Sequence, residues 1–463
     1  MSSYAEPWIA DVKRALDWFI ELMGREEWHR RRMGVTEYFH SIDRIKYTEE
    51  AIQDHGFEKK FAPIAVYTDW ISWYMYLVES IFERPGCDDP SQSSRIYPFF
   101  AAIGRDVNLL KQMKGINRRL EVLFNECQNK PDSTLYELVV AAHYARDYWT
   151  VEFLEDHSSR KTPDLEISKG TEKFWVECKR FAKVTEYAEK ERLEWQKRVK
   201  HLFNAMRIQR IPAFAEVTFK IPVEETDEVI LGGTFTHYCR SGMIRSGQVL
   251  THSYLDFKAI PLDIAHINSI LAASATRPTS PQMIKLLSGT YELHGNYTQL
   301  INPQQIEFVN PDDRLFVLNQ FYSSVYEAYI AKWDCVAPTS IDKKAKEINK
   351  MLSKALSQIP NEGDGIIHIG YETVTGPLVE FRRQEKINQV IDRFNFGSKN
   401  IKAVFFNSFQ LRPKIDGSDW AETILFFEKE KDSSLPKNLL LAPYNTKVRD
   451  DTHWAEDLIN GHI

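Results

Sequence analysis

Two carboxylates and a lysine stand in one short segment of the chain with the spacing of a β-hairpin. The segment runs from Asp164 to Lys179. Gly170-Thr171 is typical of a two-residue hairpin loop, with glycine at the first position as a type II′ turn requires. Strands paired around that loop place Asp164 directly opposite Glu177, and Lys179 then lies on the same face, two residues beyond Glu177. The spacing therefore predicts two opposed carboxylates beside a lysine.

The same register gives the hairpin an apolar face. It pairs four apolar residues, Leu165 with Val176 and Ile167 with Phe174. These side chains would pack on the core. The other face then carries the charged side chains and one tryptophan: Asp164, Glu166, Trp175, Glu177 and Lys179. One register therefore predicts both a buried face and a carboxylate cluster, with Glu166 as a further participant.

The cluster predicts a particular chemistry. Carboxylates opposed across a sheet repel each other, by up to about 1 kcal/mol. A divalent cation between them would turn that repulsion into ligation, and a few oxygen ligands completed by water suit Mg²⁺ or Mn²⁺. Such a metal can polarise a phosphate and activate a bound water. A lysine on the same face can orient or deprotonate that water and offset the charge that builds on the phosphate.

A proline and an aspartate before a strand, a turn, and a second strand ending in Glu-x-Lys resemble the PD-(D/E)XK nuclease superfamily. The resemblance implies that Asp164 and Glu177 bind the metal and that Lys179 is the catalytic lysine. It further implies an acidic residue on the helix before the sheet, and Glu137 matches that position as a third metal ligand. Thr134-x-x-Glu137 also fits a capping box at a helix N-terminus, so the sequence leaves both roles of Glu137 open.

The function implied by the resemblance is that of a nuclease that uses Mg²⁺ or Mn²⁺ to hydrolyse phosphodiester bonds. DNA is expected before RNA as its partner, and an endonuclease is the expected type. Defence against phage is a further hypothesis, by analogy from fold. The alternative is a catalytically inactive protein of the same fold that binds nucleic acid or acts as a regulatory interaction module. Extra helices, a large insertion and a net charge of −6 motivate this alternative. A second copy or a partner protein would bind through the helices or the insertion.

The superfamily core is a helix, three strands, a helix and a further strand, so the resemblance implies an α/β fold with a mixed sheet flanked by helices. A helix over 134–147, a strand over 150–155 and the hairpin would supply the first part. The closing helix and strand are either 184–208 with 215–221 or 342–359 with 365–372. The second pair is favoured, because the run GIIHIGYE is typical of a deeply buried strand.

This choice divides the chain into five parts. They are an N-terminal all-helical domain over 1–130, the first part of the core over 131–230, a mixed insertion over 231–335, the second part of the core over 336–430 and a C-terminal extension over 431–463. In the helical domain, residues 8–23 predict an amphipathic helix and residues 66–82 predict a helix that is apolar nearly all round.

Basic and polar residues near the motif are candidates for contacts with the substrate. Arg160 and Lys161 lie shortly before the first carboxylate and Arg180 lies directly after the lysine, so all three are predicted to bind phosphates. Members of the superfamily often place a polar residue into the site from the helix that follows the Glu-x-Lys strand. Gln196 and Gln358 both remain open for that position.

Bulk composition is that of a globular protein. The chain has 463 residues, of which 43% are hydrophobic and 27% charged, and this length predicts about two to four domains. No signal peptide is predicted, nor any apolar run of about 18 residues that would span a membrane. Five scattered cysteines without C-x-x-C spacing indicate reduced thiols in a cytoplasmic protein. The net charge argues against a chain-wide basic field but leaves room for a local basic groove.

Overall fold

The computed structural model describes residues 7–46, 67–155, 162–181, 185–309, 319–345, 348–415, 417–429, 434–442 and 451–459. In these ranges the chain is a mixed α/β protein with two mixed sheets flanked by helices. The predicted phosphate contacts Arg160 and Lys161 lie outside the described residues. No helix in the described part of the chain is long and apolar enough to cross a membrane.

Helices occupy the described residues before the first sheet. They are α1 Pro7–Met23, α2 Arg25–Lys46, α3 Trp70–Glu83, α4 Pro90–Arg105, α5 Val107–Leu110 and α6 Ile116–Asn125. The helices predicted over 8–23 and 66–82 are confirmed by α1 and α3. The side chain of Asp69 caps α3 by accepting a hydrogen bond from the backbone N–H of Ser72. Residues 71–80 of α3 are all buried, as an apolar surface on every side requires.

The first sheet begins with the predicted hairpin. The helix α7 Pro131–Arg146 precedes this sheet. The first three strands of the sheet are β1 Thr150–Phe153, β2 Leu165–Lys169 and β3 Glu172–Arg180, of which β2 and β3 form the hairpin. β2 pairs antiparallel with β3 and Leu165 lies opposite Val176, so the predicted register is confirmed. Gly170 in the turn has a φ of 62°, a left-handed conformation that glycine adopts without strain.

The chain then leaves the first sheet and builds a second one before it returns. The elements of this insertion are α8 Glu186–Gln209, β4 Ala213–Phe219, a 3₁₀ turn at Val223–Glu225, α9 Ile230–Arg240, α10 Met243–Ser246, β5 Leu250–Thr251, β6 Leu255–Pro261, α11 Ile264–Ala273, α12 Pro281–Ser288, β7 Asn296–Phe308 and β8 Gln320–Cys335. The strand order is β5-β6-β4-β8-β7, with β4 and β8 parallel. The predicted start of the insertion at residue 231 is therefore too late, because β4 pairs with β6 and β8 and α8 packs on these strands.

The chain returns to the first sheet through its last elements. They are α13 Pro338–Lys344, α14 Ile348–Gln358, β9 Asp364–Glu372, α15 Pro377–Arg393, β10 Asn400–Lys414, β11 Gly417–Glu428 and α16 His453–Ile459. β9 pairs parallel with β3, and the sheet order is β1-β2-β3-β9-β10-β11. Of the two candidate closing pairs, the second is thus the one that continues the first sheet. The single helix predicted over 342–359 is replaced by parts of α13 and α14.

The N-terminal helices and one face of the first sheet share a continuous core. Phe19 of α1 and Phe100 of α4 belong to the same buried cluster as Val176 and Phe409 of the sheet. The opposite face is covered by α14 and α15, with Leu352 fully buried there. The helices predicted as a separate domain over 1–130 therefore form a layer that packs directly on the sheet.

A buried arginine ties this helical layer to the sheet. Arg95 of α4 donates hydrogen bonds to Glu372 at the end of β9, at 2.7 Å, and to Asp132 at the start of α7, at 2.6 Å. Its side chain is only 9% exposed. Glu372 also accepts a hydrogen bond from Arg180 of β3. Removing one partner from such a network leaves buried charges uncompensated, which strongly destabilises a protein.

Replacement of Arg95 by leucine should lower the free energy of unfolding by about 3–5 kcal/mol, because Glu372 and Asp132 lose a buried cation. Chemical denaturation followed by circular dichroism measures the loss. Arg118→Leu is the matched control, since Arg118 is 46% exposed and pairs with Glu121 at the surface. Equal losses in the two variants would contradict the role assigned to Arg95.

Candidate active site

Asp164 is held against the strand that carries Glu177. Its carboxylate Oδ2 accepts a 2.8 Å hydrogen bond from the backbone N–H of Cys178. Its backbone carbonyl accepts a hydrogen bond from the N–H of Leu154, which extends the pairing of β1 with β2. Pro163 has no N–H and a fixed φ, so regular strand pairing starts only after it. These contacts fix the Asp164 carboxylate beside the backbone of β3, next to Glu177.

Glu177 and Lys179 project from the same face of β3, as strand alternation predicted. Lys179 forms an ion pair with Oε1 of Glu177. The Glu177 side chain has no exposed surface, whereas Lys179 is 21% exposed. The other carboxylate oxygen of Glu177, Oε2, is buried and has no hydrogen-bond donor among the described residues. A buried oxygen without a donor costs free energy, so a cation or donor at this point would stabilise the protein.

Glu137 belongs to the body of α7 and not to its N-terminal cap. The helix begins at Pro131, and Lys130 is its N-cap residue. The capping box suggested by Thr134 and Glu137 is therefore wrong, because proline at the first helical position starts the helix one turn earlier. The Glu137 side chain is buried and forms an ion pair beside the first sheet.

An arginine that the sequence did not single out connects two of the carboxylates. Nε of Arg119, on α6, lies 2.7 Å from Oε2 of Glu137. Nη2 of the same residue donates a 2.8 Å hydrogen bond to Oδ1 of Asp164. The Arg119 side chain is 12% exposed, whereas that of its neighbour Arg118 is 46% exposed. Helical periodicity separates the two arginines, because Arg119 borders the apolar stripe of Ile116 and Leu123 whereas Arg118 lies on the opposite side of α6.

The charges in this cluster act on one another. Burial raises the pKa of Glu177 well above its ordinary value of 4.5, and the Asp164 carboxylate raises it further. Lys179 opposes that shift, while Glu137 adds to it. Burial alone would lower the pKa of Lys179, but the carboxylates of Glu177 and Asp164 outweigh burial and raise it. Lys179 is therefore an ammonium at neutral pH, and Glu177 takes up a proton more readily than an exposed carboxylate does.

The oxygens of this cluster are of the type that a hard divalent cation prefers. Asp164, Glu177 and Glu137 supply carboxylate oxygens, which suit Mg²⁺ and Mn²⁺. The buried Oε2 of Glu177, which has no donor within the described ranges, can accept a cation without losing a hydrogen bond to any of these residues. Within the described residues, no three His, Cys, Asp or Glu side chains are arranged as a ready metal cage. The carboxylates are instead held in ion pairs by Arg119 and Lys179, so a cation would replace part of these contacts.

Of the two glutamines left open by the sequence, Gln358 lies next to the cluster. It ends α14, and its Nε2 donates a 3.3 Å hydrogen bond to the backbone carbonyl of Thr162, two residues before Asp164. Gln196 lies on α8, in the insertion, beside the second sheet. The topology decides between them, because α14 and not α8 is the helix that leads into the strand beside β3.

The structure places Arg180 away from the carboxylates. Alternation along β3 turns it to the face opposite Lys179, where its side chain is 3% exposed and donates a hydrogen bond to Glu372. Its guanidinium lies 5.2 Å from the ring of Phe99 and 4.9 Å from that of Phe409. The predicted phosphate contact of Arg180 is therefore corrected to a buried structural role.

Three other polar residues near the motif, Glu166, Cys178 and His143, have contacts or burial typical of structural residues. Glu166 pairs with Lys173 at the surface of the hairpin, at 2.7 Å. Cys178 is buried on the face opposite Glu177. Burial lowers the pKa of His143 to about 3, so this packed histidine is neutral at physiological pH.

Comparison of the chain with family models, with curated proteins and with solved structures finds no match. The resemblance to the PD-(D/E)XK superfamily is therefore one of motif spacing, supplemented by the positions of Asp164, Glu177 and Lys179 in the sheet. A function for the protein has to be argued from that geometry.

The raised pKa of Glu177 predicts how stability depends on pH in a buffer with EDTA. The unfolded chain titrates this group near 4.5 and the folded chain at higher pH. The stabilisation that Glu177 contributes is therefore fully present below pH 4.5 and is lost as the pH rises through the pKa of Glu177 in the folded protein. Glu177→Gln removes this loss. The melting temperature of the variant minus that of the unchanged protein should therefore increase as the pH rises above 4.5. Glu166→Gln is the control and should keep the original pH profile, while a Glu177→Gln profile parallel to the original would contradict the assignment.

Proposed function

We propose that the protein is a nuclease that uses Mg²⁺ or Mn²⁺ to hydrolyse phosphodiester bonds, with a PD-(D/E)XK-type core. The observation that supports this best is the cluster of Asp164, Glu177 and Lys179 on paired strands, with one buried carboxylate oxygen that has no donor among the residues that the structure describes. The succession of α7, β1, β2, β3, α14 and β9 around the cluster agrees with the element order of the superfamily core.

Asp164, Glu177 and Glu137 are the residues that would hold the cation. A bound cation would polarise the phosphate and lower the pKa of a bound water. The protein keeps the oxygens in place, because the N–H of Cys178 orients Asp164 and the packing around β3 excludes water from Glu177. Such preorganised groups need no rearrangement during the reaction, which is a large part of enzymatic rate enhancement.

The charge of Lys179 favours one of the two roles predicted for it. In the metal-free cluster, two carboxylates raise the pKa of Lys179, so its side chain is protonated at neutral pH and has no lone pair with which to accept a proton. Its ammonium can instead donate a hydrogen bond to the attacking water or to a phosphate oxygen. We therefore assign Lys179 to orientation of the water and to stabilisation of the negative charge that develops on the phosphate.

DNA is the first substrate in this proposal and RNA the second, and defence against phage is its proposed setting. These choices follow from the resemblance of the motif. A protein that binds nucleic acid without cleaving it is the competing function, and the ion pairs that Arg119 and Lys179 form with the carboxylates are the observation in its favour.

Loss of any residue of the motif should abolish metal-dependent cleavage. Asp164→Asn, Glu177→Gln and Lys179→Ala should each lower the rate by about 100-fold or more, because each removes a group that orients or stabilises the reacting atoms. The assay uses plasmid, linear duplex, single-stranded DNA and RNA, each with Mg²⁺ and with Mn²⁺.

The controls come from the same hairpin. Glu166→Gln and Lys173→Ala change a surface ion pair on β2 and β3 and should leave the rate within about twofold of the original. Undiminished cleavage in all three motif variants would refute the proposal. Binding of nucleic acid by the unchanged protein without cleavage of any substrate would support the competing function.

Replacement of Arg119 should lower the stability of the metal-free protein and increase the stabilisation that a metal provides. Arg119→Met should lower the free energy of unfolding in EDTA by about 3–5 kcal/mol, because Glu137 and Asp164 lose their buried cation. The same variant should gain more in melting temperature from Mn²⁺ than the unchanged protein does, since the metal no longer competes with the guanidinium. Arg118→Met is the matched control. A smaller gain from Mn²⁺ in Arg119→Met than in the unchanged protein would show that Arg119 does not occupy the cation's position.

A further inference from the structure

A groove of about 960 Å³ opens in the insertion between α8 and the first half of β7. Its floor contains Trp195 and Trp333, which stack with ring centroids 5.1 Å apart and are almost completely buried. Nε1 of Trp195 donates a 2.8 Å hydrogen bond to the hydroxyl of Thr298, which holds β7 against the helix. The groove is therefore a fixed feature of the second sheet, with α8 as one wall.

The wall formed by α8 is basic. Arg192, Lys200 and Arg207 line the groove about two helical turns apart. The described residues that line it include no Asp or Glu, although the chain as a whole has a net charge of −6. Arg192 pairs with Glu189 on its own helix, and Arg207 lies 4.0 Å from Glu327. Exposed pairs of this kind contribute little free energy, so both guanidinium groups can turn to an anionic ligand.

The length of the basic wall fits a chain of phosphates better than a single one. From Arg192 to Arg207 the helix advances about 22 Å at 1.5 Å per residue. A stacked nucleic-acid strand advances about 3.4 Å per nucleotide, so the three cations span several phosphates of one strand. A free mononucleotide would reach only one of them. On the opposite wall, Leu300 of the edge strand β7 is 42% exposed and offers apolar surface to bases.

We propose that this groove binds a single strand of nucleic acid, with the phosphates along α8 and the bases towards β7. A basic groove that also offers apolar and aromatic surface is the general arrangement for binding single strands without sequence preference. Here that surface comes from Leu300 and the half-buried Tyr297 on β7, since the two tryptophans of the floor are buried. The inference rests on the proposed nuclease function, because it gives the substrate strand a second contact outside the carboxylate cluster. The buried ion pair of Glu191 with Lys344, at 2.7 Å, fastens α8 to α13, so the groove is attached to the elements that lead back into the first sheet.

The test measures binding without cleavage. All variants carry Lys179→Ala, and fluorescence anisotropy in EDTA follows labelled single-stranded DNA, single-stranded RNA and duplex DNA at several salt concentrations. Lys200→Glu with Arg207→Glu changes the groove. Lys190→Glu with Lys197→Glu is the matched control, since it changes the charge of α8 by the same amount through two exposed residues that do not line the groove.

The groove variant should bind single strands roughly tenfold more weakly, and the slope of log affinity against log salt should fall by about 1.4, or 0.7 for each lost phosphate contact. The control pair should bind within about twofold of the parent. The strand type that binds more tightly identifies DNA or RNA as the ligand. Equal weakening by both pairs, no weakening by either, or no single-strand binding by the parent overturns the proposal.

The outcome is separable from that of the nuclease proposal. If the groove variant loses single-strand binding while protein with Lys179 intact cleaves nothing, the groove stands and the nuclease proposal fails. If protein with Lys179 intact cleaves and both charge-reversed pairs bind alike, the groove proposal alone fails.

Discussion

Negative charge enclosed in the protein interior is the constraint on which the surroundings of the site depend. An ion taken out of water costs several kcal/mol unless another charge or a hydrogen bond compensates it. Lys179 compensates Glu177 from the same strand, and Arg119 compensates Glu137 and Asp164 from an N-terminal helix. The N-terminal helices therefore belong to the site as well as to the core. In the part of the chain that the structure describes, one oxygen of Glu177 is left out of this compensation, and it is the one that the proposed chemistry would use.

The parts of the structure that could be predicted from the sequence are those with local causes. The turn at Gly170 and the alternation of apolar residues determine the hairpin register, because a shift by one residue would turn every apolar side chain to the other face. The same alternation also determines the face of β3 on which Arg180 lies. A rule that places Lys179 beside Glu177 turns Arg180 away from both, so its role as a phosphate contact could have been excluded from the sequence.

The parts that could not be predicted depend on partners distant in the chain. β4 is as apolar as a strand of the first sheet, and only its pairing with β8 assigns it to the second. The apolar stripe of α6 predicts that Arg119 is less exposed than Arg118, but it does not identify the two carboxylates that Arg119 binds, since both lie on other elements. Gln358 likewise reaches the backbone next to Asp164 only because the chain returns to the first sheet through α14.

The insertion between β3 and β9 has a consequence for the order of folding. Roughly 180 residues separate these neighbouring strands in sequence, so at about 5–20 residues per second the edge of β3 waits roughly 10–40 s on the ribosome for its partner. An uncovered edge of this kind can pair with other chains. The insertion has a hydrophobic core of its own, and β8 is synthesised before β9. Its early folding would bring the two ends of the gap together and reduce the entropy lost when β9 docks. The first sheet, whose first strands are synthesised before the insertion, is therefore the last to complete its strand pairing.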